Sequence, residues 1–210
     1  MAFEQDTLVQ FEQALLSRNR PIARALLQRL QEFASAFTVM DSLVVPVLER
    51  IGQAWETGKV ALSQVYMAGR ICEELIEALF PLEAVQRREY PRIATAVLRD
   101  YHVLGKRMVA SVLRSSGYHV WDYGHGIEAS TLVERVQQDQ IDILFISALM
   151  LPSAYQVEPL QQQLQQHGCS TRVAVGGAPF RFDSQLWQQV GADAMGYHAS
   201  DAIGLIQQLR

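Results

Sequence analysis

Two residues able to hold a metal, Asp100 and His102, stand one residue apart in a stretch that closes with Gly105. Imidazole is a common metal ligand, and a nearby carboxylate fixes its tautomer and makes the free ring nitrogen a better donor. Ser147, farther along the chain, could hydrogen-bond Asp100 in turn. The pattern D-x-H-x-x-G alone also fits a surface loop that carries Asp and His by chance, so the surrounding elements must decide.

After residue 92 the chain alternates short apolar runs with amphipathic stretches, which predicts alternating strands and helices. The predicted strands are residues 93–98, 120–123, 141–146, 173–175 and 194–195. The predicted helices are residues 106–114, 129–138, 153–166, 184–190 and 201–209. Strict alternation favours a doubly wound, five-stranded parallel sheet of the flavodoxin or Rossmann-like class, with the strand order 2-1-3-4-5.

In open sheets of this class, ligands bind beyond the carboxyl ends of the strands. The residues that follow the predicted strands therefore matter most, and those able to bind a ligand gather at one edge. These residues are 100–105, Gly124, His125, Gly126, Ser147, Leu149, Gly176, Gly177, Tyr197 and His198.

The first 80 residues have apolar side chains at three- and four-residue spacing, which predicts four helices in a small bundle. Helix breaks are expected at residues 19–21, at residues 38–41 and at Gly58, and Pro46 should kink or delay the third helix. A linker at residues 81–91 would then separate a helical domain, residues 1–85, from an α/β domain, residues 92–210.

Composition narrows the function classes. The formal net charge of −4 and the absence of a Lys/Arg cluster argue against direct binding of nucleic acid. No apolar run reaches the roughly 20 residues that span a bilayer, and the acidic start lacks the features of a signal peptide. We therefore expect a cytoplasmic protein without a membrane partner. Cys72 and Cys169 form no C-x-x-C pair and are expected to be packing residues.

The spacing of three motifs identifies a family. D-x-H-x-x-G ends at Gly105, S-x-L begins at Ser147 after 41 residues (106–146), and G-G begins at Gly176 after a further 26 (150–175). This order and spacing resemble the B12-binding domain family, which includes cobalamin-dependent methionine synthase and corrinoid methyl carriers. The resemblance covers about residues 93–210. Lys106 follows the motif glycine as in many relatives, whereas residues 97–99 replace a more glycine-rich segment.

The resemblance implies a bound cobalamin, in its methyl or adenosyl form, with cobalt held in the corrin ring. His102 would replace the benzimidazole beneath the metal and would be its protein ligand, and Asp100 and Ser147 would complete a relay. Gly176 and Gly177 would let the backbone approach the nucleotide tail. Leu149 would line the slot for that tail, and the implied cofactor-binding set also contains Gly105, Gly124 and Tyr197.

The helical half resembles the family's cap, a four-helix unit over the upper face of the corrin. Residues 51–58 resemble the turn between its middle helices, which makes Trp55 and Leu62 candidate cofactor contacts. Methyl carriers usually have Phe where Trp55 stands, and light-sensing cobalamin regulators have Trp. Those regulators also carry Glu-His where this chain has Val65 and Tyr66. Trp55 could equally belong to the core of the bundle.

Two functions within the family and one outside it are open at this point. We favour a carrier subunit that presents a methyl group to partner methyltransferases, since Leu62 and residues 64–65 resemble carriers; such a chain would not be a complete enzyme. The alternative is a light or ligand sensor that acts through a regulatory partner. A metal hydrolase or haem site could use His102, His125 and His198, but the second and fifth strands are too far apart for one metal to bind all three. His102 with His125 stays possible, because their strands are neighbours. The oligomeric state stays open.

Overall fold

The computed structural model describes residues 3–79 and 88–210. The chain divides into two compact units, Met1–Pro81 and Leu82–Arg210. Most of the predicted linker, residues 81–87, lies outside the described residues, as does Phe80, the expected end of the helical half. In the described part of the chain, no helix is both long and apolar enough to cross a membrane.

The first unit is helical, as predicted. Its elements are α1 (Gln5–Leu16), α2 (Arg20–Gln31), α3 (Ala36–Val39), a π-helical turn (Met40–Val44), α4 (Val45–Glu56) and α5 (Leu62–Leu79). Asn19 caps α2, because its side chain accepts a hydrogen bond from the amide of Ile22 at 3.2 Å. Buried apolar side chains such as Phe11, Leu43 and Ile71 form the core of the unit.

The predicted break at residues 38–41 is wrong, because the third helix runs on from α3 into α4 through the π-helical turn. Within that turn the amide of Val45 donates to the carbonyl of Met40, five residues earlier. Pro46 lacks an amide hydrogen and its ring crowds the preceding turn, so a widened turn lets the helix continue. The predicted end at Gly58 is confirmed, with a positive φ of 73°.

The second unit is a parallel sheet wrapped by helices. Its strands are β1 (Arg88–Ala96), β2 (Tyr118–Asp122), β3 (Ile143–Ser147), β4 (Arg172–Gly176) and β5 (Ala194–Gly196). Their spatial order is β2-β1-β3-β4-β5 and every pairing is parallel, which confirms the predicted architecture.

Helices cover both faces of the sheet. They are α6 (Leu104–Ser115), α7 (Ala129–Gln138), α8 (Leu151–Tyr155), α9 (Val157–Gln166), α10 (Ala178–Phe182), α11 (Leu186–Gln189) and α12 (Ala202–Gln208). Side chains of α6 and α12 join one buried cluster, and side chains of α7 to α11 join the other. The predicted helix 153–166 is divided into two helices, α8 and α9, the first of which begins at Leu151. A further short helix, α10, precedes the predicted helix 184–190.

Candidate functional site

Asp100 is the centre of a hydrogen-bond network beyond the carboxyl end of β1. Its side chain is only 6% exposed. Oδ1 accepts hydrogen bonds from Nδ1 of His102 at 2.6 Å, from the amide of Tyr101 at 2.6 Å and from the amide of His102 at 3.3 Å. Oδ2 accepts from the amide of Met150 at 3.4 Å. Asp100 thus joins its own loop to the loop after β3.

This network sets the state of the His102 ring. Burial alone would raise the pKa of Asp100, but hydrogen bonds from the His102 side chain and the Tyr101 amide outweigh it and hold that pKa below its ordinary value. An ionised carboxylate can only accept, so Nδ1 of His102 carries the proton and Nε2 has the free lone pair. The His102 side chain is half exposed. Nε2 has no hydrogen-bond partner within residues 3–79 and 88–210.

Ser147 contacts the helix that follows the histidine loop, and the expected hydrogen bond to Asp100 is not formed. A Cβ atom added to Gly105, at the start of α6, would lie 2.6 Å from the Ser147 Oγ. The Met150 amide takes the place beside Asp100 that the sequence suggested for Ser147. The motif glycine and the motif serine therefore depend on one another, because any side chain at position 105 would displace the hydroxyl.

The protein backbone itself requires Gly177 and leaves little room for a side chain at Gly176. Gly177 has a φ of 115°, and a Cβ there would overlap the carbonyl oxygen of Ala148. A Cβ on Gly176 would lie 3.2 Å from the carbonyl oxygen of Gly196. The loops after β3, β4 and β5 therefore approach one another at backbone distance, which leaves a narrow edge free of side chains.

The loop after β2 runs beside the histidine loop. The Gly126 amide donates to the Asp100 carbonyl at 2.8 Å, and the rings of Tyr101 and His125 meet edge to face with centroids 5.5 Å apart. Gly124, with a positive φ of 85°, has open space where a side chain would be. Two loops that end neighbouring strands thus hold one another.

An ion pair with a buried cation lies at the start of this loop. Lys106 is 4% exposed, and its ammonium group is hydrogen-bonded to Oδ1 of Asp122, the last residue of β2. The same oxygen accepts from the Gly124 amide at 2.8 Å. Burial would raise the pKa of Asp122, but the Lys106 and Gly124 hydrogen bonds lower it overall. Asp122 therefore stays charged at neutral pH.

Large apolar side chains are exposed around this edge. The exposed side chains of the α/β unit that follow β1, β3 and β5 are Tyr101, Leu149, Met150, Leu151, Tyr155 and Tyr197. The backbone at Tyr197 is fixed, because Oδ2 of Asp201 accepts from the amides of Tyr197 and His198 at 2.9 Å each. A group of exposed apolar side chains beside a polar centre is typical of a binding site.

In the helical unit, Trp55 is 45% exposed, and Leu62 and Tyr66 are exposed as well. The alternative that Trp55 belongs to the core of the bundle is therefore wrong. Trp55 lies at the end of α4, and Leu62 begins α5. Both remain available for a ligand or a partner.

Sequence reasoning missed two residues that shape the site. Ser153 is buried, and its Oγ donates to the carbonyl of Leu98 at 2.6 Å, so it fixes the approach to Asp100. Arg99 has a positive φ of 46°, although it is not glycine, and its guanidinium pairs with Glu128 at 2.7 Å. The signal for Arg99 was in the sequence, since residues 97–99 stand where the family resemblance implies a more glycine-rich segment.

The donor set fits a metal that brings its own equatorial ligands. Within the described residues, no three His, Cys, Asp or Glu side chains are placed to hold a metal ion. His125 packs on Tyr101, and His198 takes part in the cap of the turn Ala199–Asp201. One imidazole with a free Nε2, beside exposed apolar side chains and a glycine-lined edge, suits a macrocyclic metal cofactor with a narrow appendage.

Two family models, each described as a B12 binding domain, match residues 91–204 and residues 8–80. Dimethylamine corrinoid protein 2 of Methanosarcina mazei is 25% identical over 215 residues, which cover 100% of this chain and 99% of that protein. Trimethylamine corrinoid protein 2 of Methanosarcina acetivorans is 31% identical over 167 residues, 76% of each chain. The structure of the Methanosarcina barkeri monomethylamine corrinoid protein has the same fold, with a TM-score of 0.86 and 22% identity over 98% of this chain and 99% of that one.

Proposed function

This chain belongs to the B12 binding domain family, and from that membership we propose that it is a corrinoid protein that carries a methyl group for partner methyltransferases. A bound cobalamin supplies a cobalt that can take up and release a methyl group. Relatives named dimethylamine and trimethylamine corrinoid proteins match this chain over 99% and 76% of their own length, which supports a carrier. A light or ligand sensor lacks comparable support.

The pairing of His102 with Asp100 is the single observation that carries the proposal. A carboxylate that accepts from Nδ1 presents Nε2 as a neutral donor and makes it more basic. We therefore assign His102 as the lower ligand of cobalt and Asp100 as the residue that orients it. The amide of Met150 restrains Asp100 from the neighbouring loop, so the ligand is held before the cofactor arrives.

The rest of the proposed cofactor site lies at the same edge of the sheet. Gly105, Gly176 and Gly177 carry no side chain, so together with Ser147 they would line the nucleotide tail. Leu149, Gly124 and Tyr197 would complete the contacts on this side. Ser147 is well placed to meet the tail, since its hydroxyl has no hydrogen-bond partner within the described residues.

We assign the helical domain, residues 1–85, as a cap and residues 92–210 as the cobalamin-binding domain. In this assignment Trp55 and Leu62 shield the upper face of the corrin. A carrier must expose that face to each partner in turn, so the cap contact should be reversible. We also propose a cytoplasmic location, because the two cysteines are free and disulfides are typical of oxidising compartments.

Ultraviolet-visible spectra of protein reconstituted with methyl-, adenosyl- and hydroxocobalamin test the ligand assignment. The wild type should bind one cofactor in a form with the benzimidazole displaced and histidine bound. His102→Ala should lose that spectrum, whereas His167→Ala should keep it, because His167 follows α9 and its ring bonds the carbonyl of Gln163. An unchanged spectrum in His102→Ala would refute the assignment.

Size-exclusion chromatography tests the carrier against the sensor. The adenosylcobalamin complex should elute at the same volume in darkness and after illumination, because a carrier has no light response to transmit. A reproducible light-driven change in size would contradict the carrier and favour the sensor.

A further inference from the structure

The ion pair between Lys106 and Asp122 is unusual in how deeply its cation is buried. The Lys106 side chain is 5% exposed and the Asp122 side chain 36%. Removing an ammonium group from water costs several kcal/mol, and apolar residues of similar size often stabilise a fold as well or better. Burial of this cation is therefore poorly explained by stability alone.

The contacts of the pair lead directly to the histidine loop. Asp122 accepts from the Gly124 amide at 2.8 Å, and the Gly124 carbonyl accepts from the Val97 amide at 3.2 Å. Two residues later, the Gly126 amide donates to the carbonyl of Asp100 at 2.8 Å. The loop after β2 thus follows the chain from Val97 to Asp100, and Asp122 fixes the point at which that loop begins.

Lys106 fixes the end of the histidine loop, which runs from Asp100 to Gly105. It lies in the first turn of α6, directly after Gly105, so its position sets where the segment from Asp100 to Gly105 must end. The pair therefore connects the residue that closes the histidine loop with the strand that supports its start. His102 lies between these two fixed points.

We propose that Lys106 and Asp122 are positioning residues that hold the His102 loop in the geometry required to ligate cobalt. This inference rests on the proposed function, because it needs His102 to be the ligand. Neither residue touches the metal in this role. The pair acts through Gly124, Gly126 and the backbone of Asp100.

A second ion pair of the same sheet provides the matched control. Arg172 and Asp193 pair at 2.9 Å at the amino ends of β4 and β5, where the Arg172 side chain is exposed. Arg172→Met removes one cation from the same domain without touching the histidine loop. Lys106→Met removes the other cation and leaves an apolar side chain of similar length in the buried place, while the remaining Asp122 side chain is 36% exposed to water, so the domain should still fold.

Electron paramagnetic resonance of the cob(II)alamin complex, in protein labelled with ¹⁵N-histidine, reads the ligand directly. In the wild type and in Arg172→Met, each cobalt line should be split into a doublet by the axial ¹⁵N. Lys106→Met should show a smaller fraction of doublet signal and about 10-fold weaker cobalamin binding, the usual effect of removing support from a metal ligand. An undiminished doublet and unchanged affinity in Lys106→Met would overturn the proposal.

Failure of the proposed function would look different. A wild-type spectrum without a doublet would mean that His102 is not the ligand, whatever Lys106 does. Hydrogen exchange of the cofactor-free protein supplies a second measurement that needs no ligand. Faster exchange of the Gly124 and Gly126 amides in Lys106→Met or Asp122→Asn than in Arg172→Met supports the proposal, and equal protection overturns it.

Discussion

At the amino ends of the strands the charged groups are exposed or partly exposed, whereas at the carboxyl ends two charged groups are buried. At the amino edge, Asp193 pairs with Arg172, and Asp142 accepts from the Arg92 amide at 2.7 Å. At the carboxyl edge, Asp100 and Lys106 are almost completely buried. The same five strands run to both edges, so the difference in burial comes from the loops that precede and follow them.

The comparison separates groups that stabilise the domain from groups that prepare a site. Exposed ion pairs contribute about 0–1 kcal/mol and cost little to form. Buried charges and strained backbone cost more, and they persist where the surrounding structure fixes them, commonly at functional sites. We therefore expect substitutions at the carboxyl edge to change cofactor binding as well as stability, and matched substitutions at the amino edge to change stability alone.

The largest difference is expected between two glycines with positive φ. Gly177→Ala would overlap the carbonyl of Ala148, so we expect a loss of about 3 kcal/mol or more in the free energy of unfolding. Gly168, in the turn after α9, has open space around it and a φ of 67°, so Gly168→Ala should cost about 1 kcal/mol. Urea denaturation measures both, and equal costs would show that the close approach at Gly177 is absent in solution.

The next effect compares two carboxylates that accept backbone amides. Asp100→Ala should weaken cobalamin binding by about 10- to 100-fold, because His102 loses the group that orients it. Asp193→Ala removes the bond to the Val173 amide, at 2.7 Å, and should lower stability but leave cobalamin affinity unchanged. Titration of each variant with hydroxocobalamin distinguishes them. Weaker cobalamin binding in both variants would mean that the loss of affinity results from the loss of stability alone.

Two hydroxyl groups that donate to backbone carbonyls come third. Ser153→Ala leaves the buried carbonyl of Leu98 without its partner, at a cost of about 1–3 kcal/mol. Thr171→Val breaks a similar bond to the Ile141 carbonyl, 2.7 Å long and only partly buried, at a cost of about 0.5–1.5 kcal/mol. Thermal unfolding measures both, and cobalamin affinity should fall only in Ser153→Ala. A loss of cobalamin affinity in Thr171→Val would contradict the expected difference between the two edges of the sheet.

The smallest effect concerns two residues with positive φ that are not glycine. Gln140, at the amino edge, has a φ of 51°, and Arg99 has a φ of 46°. Gln140→Gly and Arg99→Gly should each relieve backbone strain and change stability by less than about 1 kcal/mol. Arg99→Gly also frees the chain beside Asp100, so only this variant should lose affinity for cobalamin. Identical affinities would show that the pair of Arg99 with Glu128 has no part in the site.

Much of the fold could be predicted because it depends on local patterns. Apolar runs of two to six residues, separated by amphipathic stretches, predicted the five parallel strands, and apolar residues at three- and four-residue spacing predicted the helical half. The family and the cofactor predicted from the three motifs are confirmed by the comparisons with known proteins. The wrong break at residues 38–41 came from polar residues that the π-helical turn tolerates.

The contacts inside the site could not be predicted, because they join residues that are distant in sequence. Ser147 and the Met150 amide are three residues apart, and only the path of the chain after β3 decides which one reaches Asp100. Gly177 was interpreted as clearance for a cofactor, yet its Cβ would first meet Ala148 of the neighbouring loop. The pairing of β3 with β4 brings those loops together, and no local sequence pattern indicates that contact.

The π-helical turn Met40–Val44 has a consequence for the evolution and engineering of the cap. Such a turn holds one residue more than an α-helical turn, and each residue advances a helix by about 100°. Deleting one residue there would return the turn to α-helical geometry and leave Val47, Ile51 and Trp55 on their present sides. The same deletion within α4 would rotate all that follows by about that angle and take buried side chains away from the core. The π-helical turn is therefore the place where the third helix can change length without moving its core.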